Sequence, residues 1–362
     1  MVEIDGASGE GGGQVLRTAL ALSMITGQPL QIRHIRAKRP KPGLMRQHLT
    51  CVHAAAAISG AAVTGAQLGS SQLEFAPQAV RPGEYRFAME TAGSCTLVLQ
   101  TIWPALMLAD APSRIHLSGG THNPMAPCFH FVQRSYAPLL AKLGAASTLA
   151  LQRMGFAPAG GGVIEALIEP ASVPLTPLDL VTRGTSLGGY AESYAPGLAR
   201  NIAHRELQQL GQMLGWSYEK KQLRIGPCKQ HEGPGNALLV TLEYANTTQV
   251  MSRLGQKNTS AEQVANQLAK AVRRFQMREE AVLDEYLADQ WALPLALAVS
   301  RSGQAAQFTC TDISLHASTN FSVIEQFLPV RFMYEQCTGK HHAYWLVRCA
   351  PCDAPLTPSG RG

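Results

Sequence analysis

One order of elements returns along this chain, and it limits the fold more than any single motif does. From Gln14 the segment QVLRTALALSMIT has helical spacing; Gly27 and Pro29 then supply a natural stop. The segment PLQIRHI reads as a strand, LMRQHLTCVHAAAAIS as a helix running to Gly60, and AAVTGAQL and SQLEFAP as two short strands. The same order recurs in SCTLVLQTIWPALMLAD, SRIHLSGG, FHFVQRSYAPLLAKLG, STLALQRM and GGVIEALIEP, with GEYRFAMETAG leading into it. A partial third copy is EYLADQWALPLALAVS, QFTCTDISL, STNFSVIEQFL and VRFMYEQ. Identity between the copies is weak, but their order and loop chemistry agree. The expectation is an α/β fold built from three related units.

Residues 181–277 break that rhythm. They carry their own strands, TSLGGYAESYA and NALLVTLEYA, and helices, LARNIAHRELQQLGQMLG and SAEQVANQLAKAVRRFQ. The proline-rich EPASVPLTPLD leads into them. We expect a smaller inserted α/β domain at 181–277, a discontinuous larger domain at 1–180 and 278–350, and a disordered tail at 353–362.

With 362 residues the chain can bury two or three cores, and 46% hydrophobic against 15% charged residues excludes intrinsic disorder. The start MVEID has acids where a signal peptide needs basic residues. The most apolar stretch, 96–109, is broken by Gln100 and Pro104, so no membrane span is expected. Eight scattered cysteines without a secretory signal favour reduced thiols and the cytoplasm. Cys349 and Cys352 form a lone C-x-x-C at the C-terminal fringe, without the second pair that zinc needs.

Charge is distributed unevenly. Between Glu10 and Glu74 there is no acid, while Arg17, Arg33, Arg36, Lys38, Arg39, Lys41 and Arg46 fall in that gap. A basic segment of this length suits a polyanion, nucleic acid first.

Within it lies GASGEGGGQVLR. No Lys-Ser/Thr follows the glycines, so it is not a phosphate loop of the Walker type, and Gln14 stands where a dinucleotide fingerprint needs its third glycine. What remains is pliant backbone at a helix N-terminus, suited to an anion. Glu10 can be a divalent-metal ligand there or a solvated loop carboxylate. Arg17 and Arg46 oppose the positive ends of their helices, and reach either solvent or a bound anion.

His316 is expected to end the strand TCTDISL and precede the capping cluster ASTN. A helix N-terminus lowers a histidine pKa, leaving a ring nitrogen free to attack a phosphate; a structural histidine fits as well. His53 is expected to pack among alanines, and His341 and His342 to lie on the surface. Asp289 reads as a first-turn carboxylate; Tyr286 and Phe131 suit either a base or the core.

Together, DGASGEGGGQVLR, IRAKRPKPGLMRQHLT, AGSCTLVLQT, GFAPAGGG, EYLADQ and SLHASTNFSVIEQFLPVRF resemble the RNA 3′-terminal phosphate cyclase family from about Ile4 to Gln336. The resemblance implies three helix-on-four-stranded-sheet units like the C-terminal domain of translation initiation factor 3, plus the inserted domain. It implies ATP-dependent closure of an RNA 3′-phosphate to a 2′,3′-cyclic phosphate through histidine–AMP and RNA–adenylate. By motif position, His316 would be the nucleophile and Glu10 the ligand of a magnesium or manganese ion. Arg17, Arg36, Arg39 and Gln47 match positions needed for activity. Gln100, Pro127, Phe131, Tyr286, Leu287, Ala288, Asp289 and Gln290 match the nucleotide pocket. RNA is the implied partner; no membrane or obligate protein partner is implied, and a homodimer is open. Met154 departs from the family's Arg or His before Gly155, Gln256 replaces a usual acid, and AVSRSGQAAQFTC is slightly long. Two other readings compete: a non-catalytic ribosome-assembly relative, which would lack the histidine, and a carboxyvinyl transferase, which needs six repeats.

Overall fold

The structure, a computed structural model, describes residues 1–89, 92–171 and 174–352. The tail expected at 353–362 lies outside the described residues.

The first unit comprises β1 (Val2–Asp5), α1 (Gly13–Thr26), β2 (Leu30–Arg33), α2 (Arg46–Ser59), β3 (Ala62–Thr64) and β4 (Leu73–Ala76). Its sheet has the order β1-β2-β4-β3, with only the β1–β2 pair parallel. The second unit has β5 (Glu84–Ala88), α3 (Cys95–Leu106) and β6 (Ser113–Gly119), then α4 (Phe129–Phe131) and α5 (Ala137–Lys142) joined by a π turn. It ends with β7 (Ser147–Arg153) and β8 (Gly162–Ile168). Its sheet, β5-β6-β8-β7, repeats the first in order and direction.

The interrupting segment holds β9 (Ser186–Tyr194), α6 (Asn201–Leu214), β10 (Leu223–Ile225), β11 (Ala237–Tyr244), β12 (Thr248–Leu254) and α7 (Ala261–Gln276). Here the sheet order is β10-β9-β11-β12. Leu207, Leu210, Leu238, Val240, Leu268 and Val272 belong to a core separate from the larger one. Tyr194, Ala237, Leu239 and Val250 of this segment join the larger core, and polar contacts also tie it to the second unit. Arg134 pairs with Glu192 and lies 3.2 Å from Thr241 Oγ1; the Met154 N–H donates to Glu232 at 2.8 Å.

Last come α8 (Glu285–Ser302), β13 (Ala306–Cys310), α9 (Leu315–Glu325), β14 (Val330–Thr338) and β15 (Ala343–Pro351). The sheet expected to have four strands has three, β13-β15-β14. At the place that β1 takes in the first sheet, Leu180 makes a single parallel bridge to Phe308. The chain leaves for the interrupting segment before this contact can lengthen into a strand. The C-terminal fringe also needs correcting: β15 is the middle strand, and Cys349 is buried in the core. His53 is exposed, not packed, because Ala54 and Ala55 take the buried side of α2 while His53 and Ala57 share the exposed one.

Helix α1 holds the units together. It buries Val15, Leu16, Ala19, Leu20, Ala21 and Leu22, residues on several of its faces, because α2, α3 and α9 all pack against it. Gly27 ends it with φ 71°, its N–H donating to the Ser23 carbonyl at 2.9 Å. No described helix is long and apolar enough to cross a membrane. Because Leu20 is fully buried at this junction, Leu20→Ala should lower the unfolding free energy by roughly 2–5 kcal/mol in urea titration.

Candidate active site

The glycine loop between β1 and α1 is shaped by close approach. Gly9 and Gly11 have φ of 56° and 59°, in the left-handed region that glycine tolerates. A side chain at Gly12 would overlap the Glu10 carboxylate, and one at Gly9 would overlap Thr319 on α9. The Glu10 N–H donates to Thr319 Oγ1 at 3.0 Å. Its carboxylate, only 8% exposed, pairs with Arg39 and places Oε1 3.3 Å from His316 Nε2. The other oxygen, Oε2, is buried without a hydrogen-bond partner.

His316 is the second residue of α9, not the end of a strand. Ser314 is the N-cap, its Oγ accepting the Ala317 N–H at 3.1 Å. The sequence reading took ASTN for the cap because serine and threonine cluster there, but Ser314 lies ahead of them. The imidazole is 43% exposed. Its pKa is lowered, first by partial burial and then by the Arg17 and Arg39 cations, while Asp289 opposes the shift.

Arg17 lines a small cleft together with Gln14, Thr18, Gln100, Asp289, Gln290 and Asn320 among others. Burial lowers the Arg17 pKa, and the fields of Cys51 and Asp289 resist. Burial also pushes Asp289 up to about 6, with His316, Arg17, Asn320 and Gln290 holding it back. Gln100 presents both amide atoms without a partner, although both are buried. Such an amide can serve a ligand as donor and acceptor.

The remaining candidates divide by place. Arg36 turns inward, donating to the Lys41 and Gly43 carbonyls at 2.7 and 3.0 Å, and so shapes the basic loop. Pro127 gives its carbonyl to Thr96 Oγ1 at 2.7 Å, and Phe131 is buried. Tyr286 is 61% exposed on the first turn of α8. Leu287 and Ala288 are fully buried, their N–H groups committed to the Asp284 carboxylate and carbonyl at 2.8 and 3.0 Å. Gln47 lies near Gly93, and neither it nor Arg36 lines the cleft.

Sequence reasoning missed His48, Thr319 and Asn320. His48 packs against Gly13 and Arg17, and burial with the Arg17 and Arg36 charges holds its pKa down at about 3. Its position in the acid-free segment was the available signal. Among the described residues no group of three or more His, Cys, Asp or Glu could hold a metal. Glu10 Oε2, buried without a partner, fits a cation that draws its other ligands from phosphate and water.

A family model described as RNA 3′-terminal phosphate cyclase matches residues 8–334. The chain belongs to this family. It is 50% identical over 333 residues to an RNA 3′-terminal phosphate cyclase of Ralstonia nicotianae, spanning 91% of this chain and 92% of that one. Identity to the Salmonella enteritidis RNA 3′-terminal phosphate cyclase is 48% over 335 residues, 92% of this chain and 96% of the other.

For a cyclase histidine in this setting the sign of the pH effect is fixed. A lowered pKa keeps the ring neutral below the ordinary 6.5. Acylation of His316 by diethylpyrocarbonate, read by peptide mass spectrometry, should thus fall to half its plateau at a pH below the 6.5 of a free imidazole. Half-loss at 6.5 or above would contradict the electrostatic account.

Proposed function

We propose that this chain uses ATP to convert an RNA 3′-terminal phosphate into a 2′,3′-cyclic phosphate, through a covalent histidine–AMP. The observation that carries the reading is the meeting of His316 with Glu10, Arg39, Arg17 and Asp289, contributed by opposite ends of the chain. A neutral imidazole beside two arginines can meet a phosphate whose negative charge those arginines offset.

In the first step a ring nitrogen of His316 attacks the α-phosphorus of ATP. The N–P bond forms, the bond to the bridging oxygen of the β-phosphate breaks, and pyrophosphate leaves. An oxygen of the RNA 3′-phosphate then attacks the same phosphorus, freeing the imidazole and giving an RNA–adenylate anhydride. Finally the adjacent 2′-hydroxyl attacks the terminal RNA phosphorus, loses its proton and expels AMP. The last step is intramolecular, and its proximity lowers the entropic part of the barrier.

Arg17 and Arg39 suit the phosphates of ATP and RNA. Gln100, Asp289 and Gln290 face the cleft as nucleotide-binding groups, with Pro127, Phe131 and Tyr286 assigned to adenine. Leu287 and Ala288 contribute by packing the turn that carries their neighbours. Arg36 and Gln47 support the basic loop and its flank. Glu10 would hold the magnesium or manganese ion, which when bound supplies positive charge against phosphate. We take 181–277 to be the inserted domain, supported by its separate core. All eight cysteines are free, which suits the cytoplasm.

Incubation with α-labelled ATP and a divalent metal should label the protein through an acid-labile, alkali-stable bond, and His316→Ala should abolish labelling. A 3′-phosphorylated RNA should become phosphatase-resistant at its end. Undiminished labelling of His316→Ala would remove the nucleophile assignment. Labelling without end conversion would remove the RNA assignment.

A further inference from the structure

The two residues that follow His316 by three and four positions share its side of α9. Each bonds to an element that carries a different part of the site. Thr319 Oγ1 accepts the Glu10 N–H at 3.0 Å and donates to the Leu315 carbonyl at 2.6 Å. Asn320, 2% exposed, donates through Nδ2 to the Asp289 carbonyl at 3.0 Å and to Asp289 Oδ1 at 3.1 Å. Its Oδ1 accepts the Thr18 hydroxyl at 2.8 Å, one residue beyond Arg17 on α1. The contact at Thr319 is close enough that only glycine fits at position 9.

We infer that Thr319 and Asn320 are positioning residues, which fix the Glu10 loop, α1 and Asp289 in register with His316. Neither is a group that reacts. The Glu10 amide has no other recorded partner among the described residues, so its loop is tied to the nucleophile's helix at that atom. Both Asn320 functions are used, one toward each neighbouring helix, and the flipped amide would set its oxygen against the Asp289 carbonyl and carboxylate, acceptor to acceptor. Buried polar groups with all partners made fix a single packing, which apolar contact alone does less well. The assignment of these ties to catalysis rests on the proposed function, whereas the ties themselves do not.

The test therefore has two readouts. Thr319→Val keeps the shape and removes the hydroxyl; Thr319→Ser keeps the hydroxyl. In the free protein, hydrogen exchange of peptides covering 6–13 should quicken in Thr319→Val and return to the wild-type rate in Thr319→Ser. With ATP, Thr319→Val should lower the maximal rate of self-labelling by about tenfold or more, since misplacement by an ångström costs on the order of a hundredfold. Thr319→Ser should restore most of that rate. Asn320→Asp, which sets a carboxylate against Asp289, should act on the KM for ATP more than Thr319→Val does.

Wild-type exchange in Thr319→Val, or equal impairment by valine and serine, would overturn the inference. Normal exchange protection in all variants together with an unlabelled wild type would overturn it along with the functional reading. Faster exchange in Thr319→Val with an unlabelled wild type would overturn the functional reading alone and leave the tie established.

Discussion

The Glu10 carboxylate is almost wholly removed from solvent, and everything near it follows from keeping that charge stable. An isolated buried carboxylate would be neutralised or expelled. Arg39 balances it from the basic loop, and His316 stands at the same carboxylate oxygen, Oε1. That solution needs three parts of the chain at one point: the β1–α1 loop, the loop before α2, and the first turn of α9. The glycines are the steric half of the same requirement. Side chains at Gly9 or Gly12 would occupy the space that Thr319 and the carboxylate use.

Helix α1 explains how such distant segments meet. It is buried against helices of the first, second and third units, so its N-terminus and the loop ahead of it are carried to α9 by apolar packing. Polar bonds then set the register. Packing of leucines and alanines tolerates small slides, but an amide between a hydroxyl and a carboxylate does not. The Thr18–Asn320–Asp289 chain is thus where three helices become one frame.

The alternation of helix and strand made three strands legible in each of the first two sheets, while β1 and β5, which precede the first helix of each unit, carried no pattern that marked them as strands. The third sheet was less so, since β15 lies past the last residues of the recurring pattern and the strand slot at Leu180 is separated from its unit by the interrupting segment. His316 stood out through its neighbours, yet the helix expected from Ser318 begins three residues earlier, at Leu315. Serines and threonines were abundant there, and sequence alone does not say which one caps. Glu10, Arg17 and Asp289 were legible as residues of interest. Their convergence around His316 was not, because it depends on how α1, α8 and α9 cross. The same holds for Asn320: its type fits both a cap and a buried bridge, and only its burial between two helices decides.

The charges around His316 are arranged with opposed signs, and that opposition has a use. Arg17 and Arg39 disfavour the imidazolium, whereas Asp289 favours it. Asp289, pushed up to about 6 by burial, is itself held toward ionisation by His316 and Arg17. The arginines add to the lowering that partial burial causes, and Asp289 works against it, so the two signs meet on one ring. Under the proposed function, such an arrangement would give an imidazole that is neutral before attack and has an anion near the charge that develops on it. The separation of the acids and bases along the chain is what allows this: each sits on a different element, so packing, not a shared loop, sets their distances.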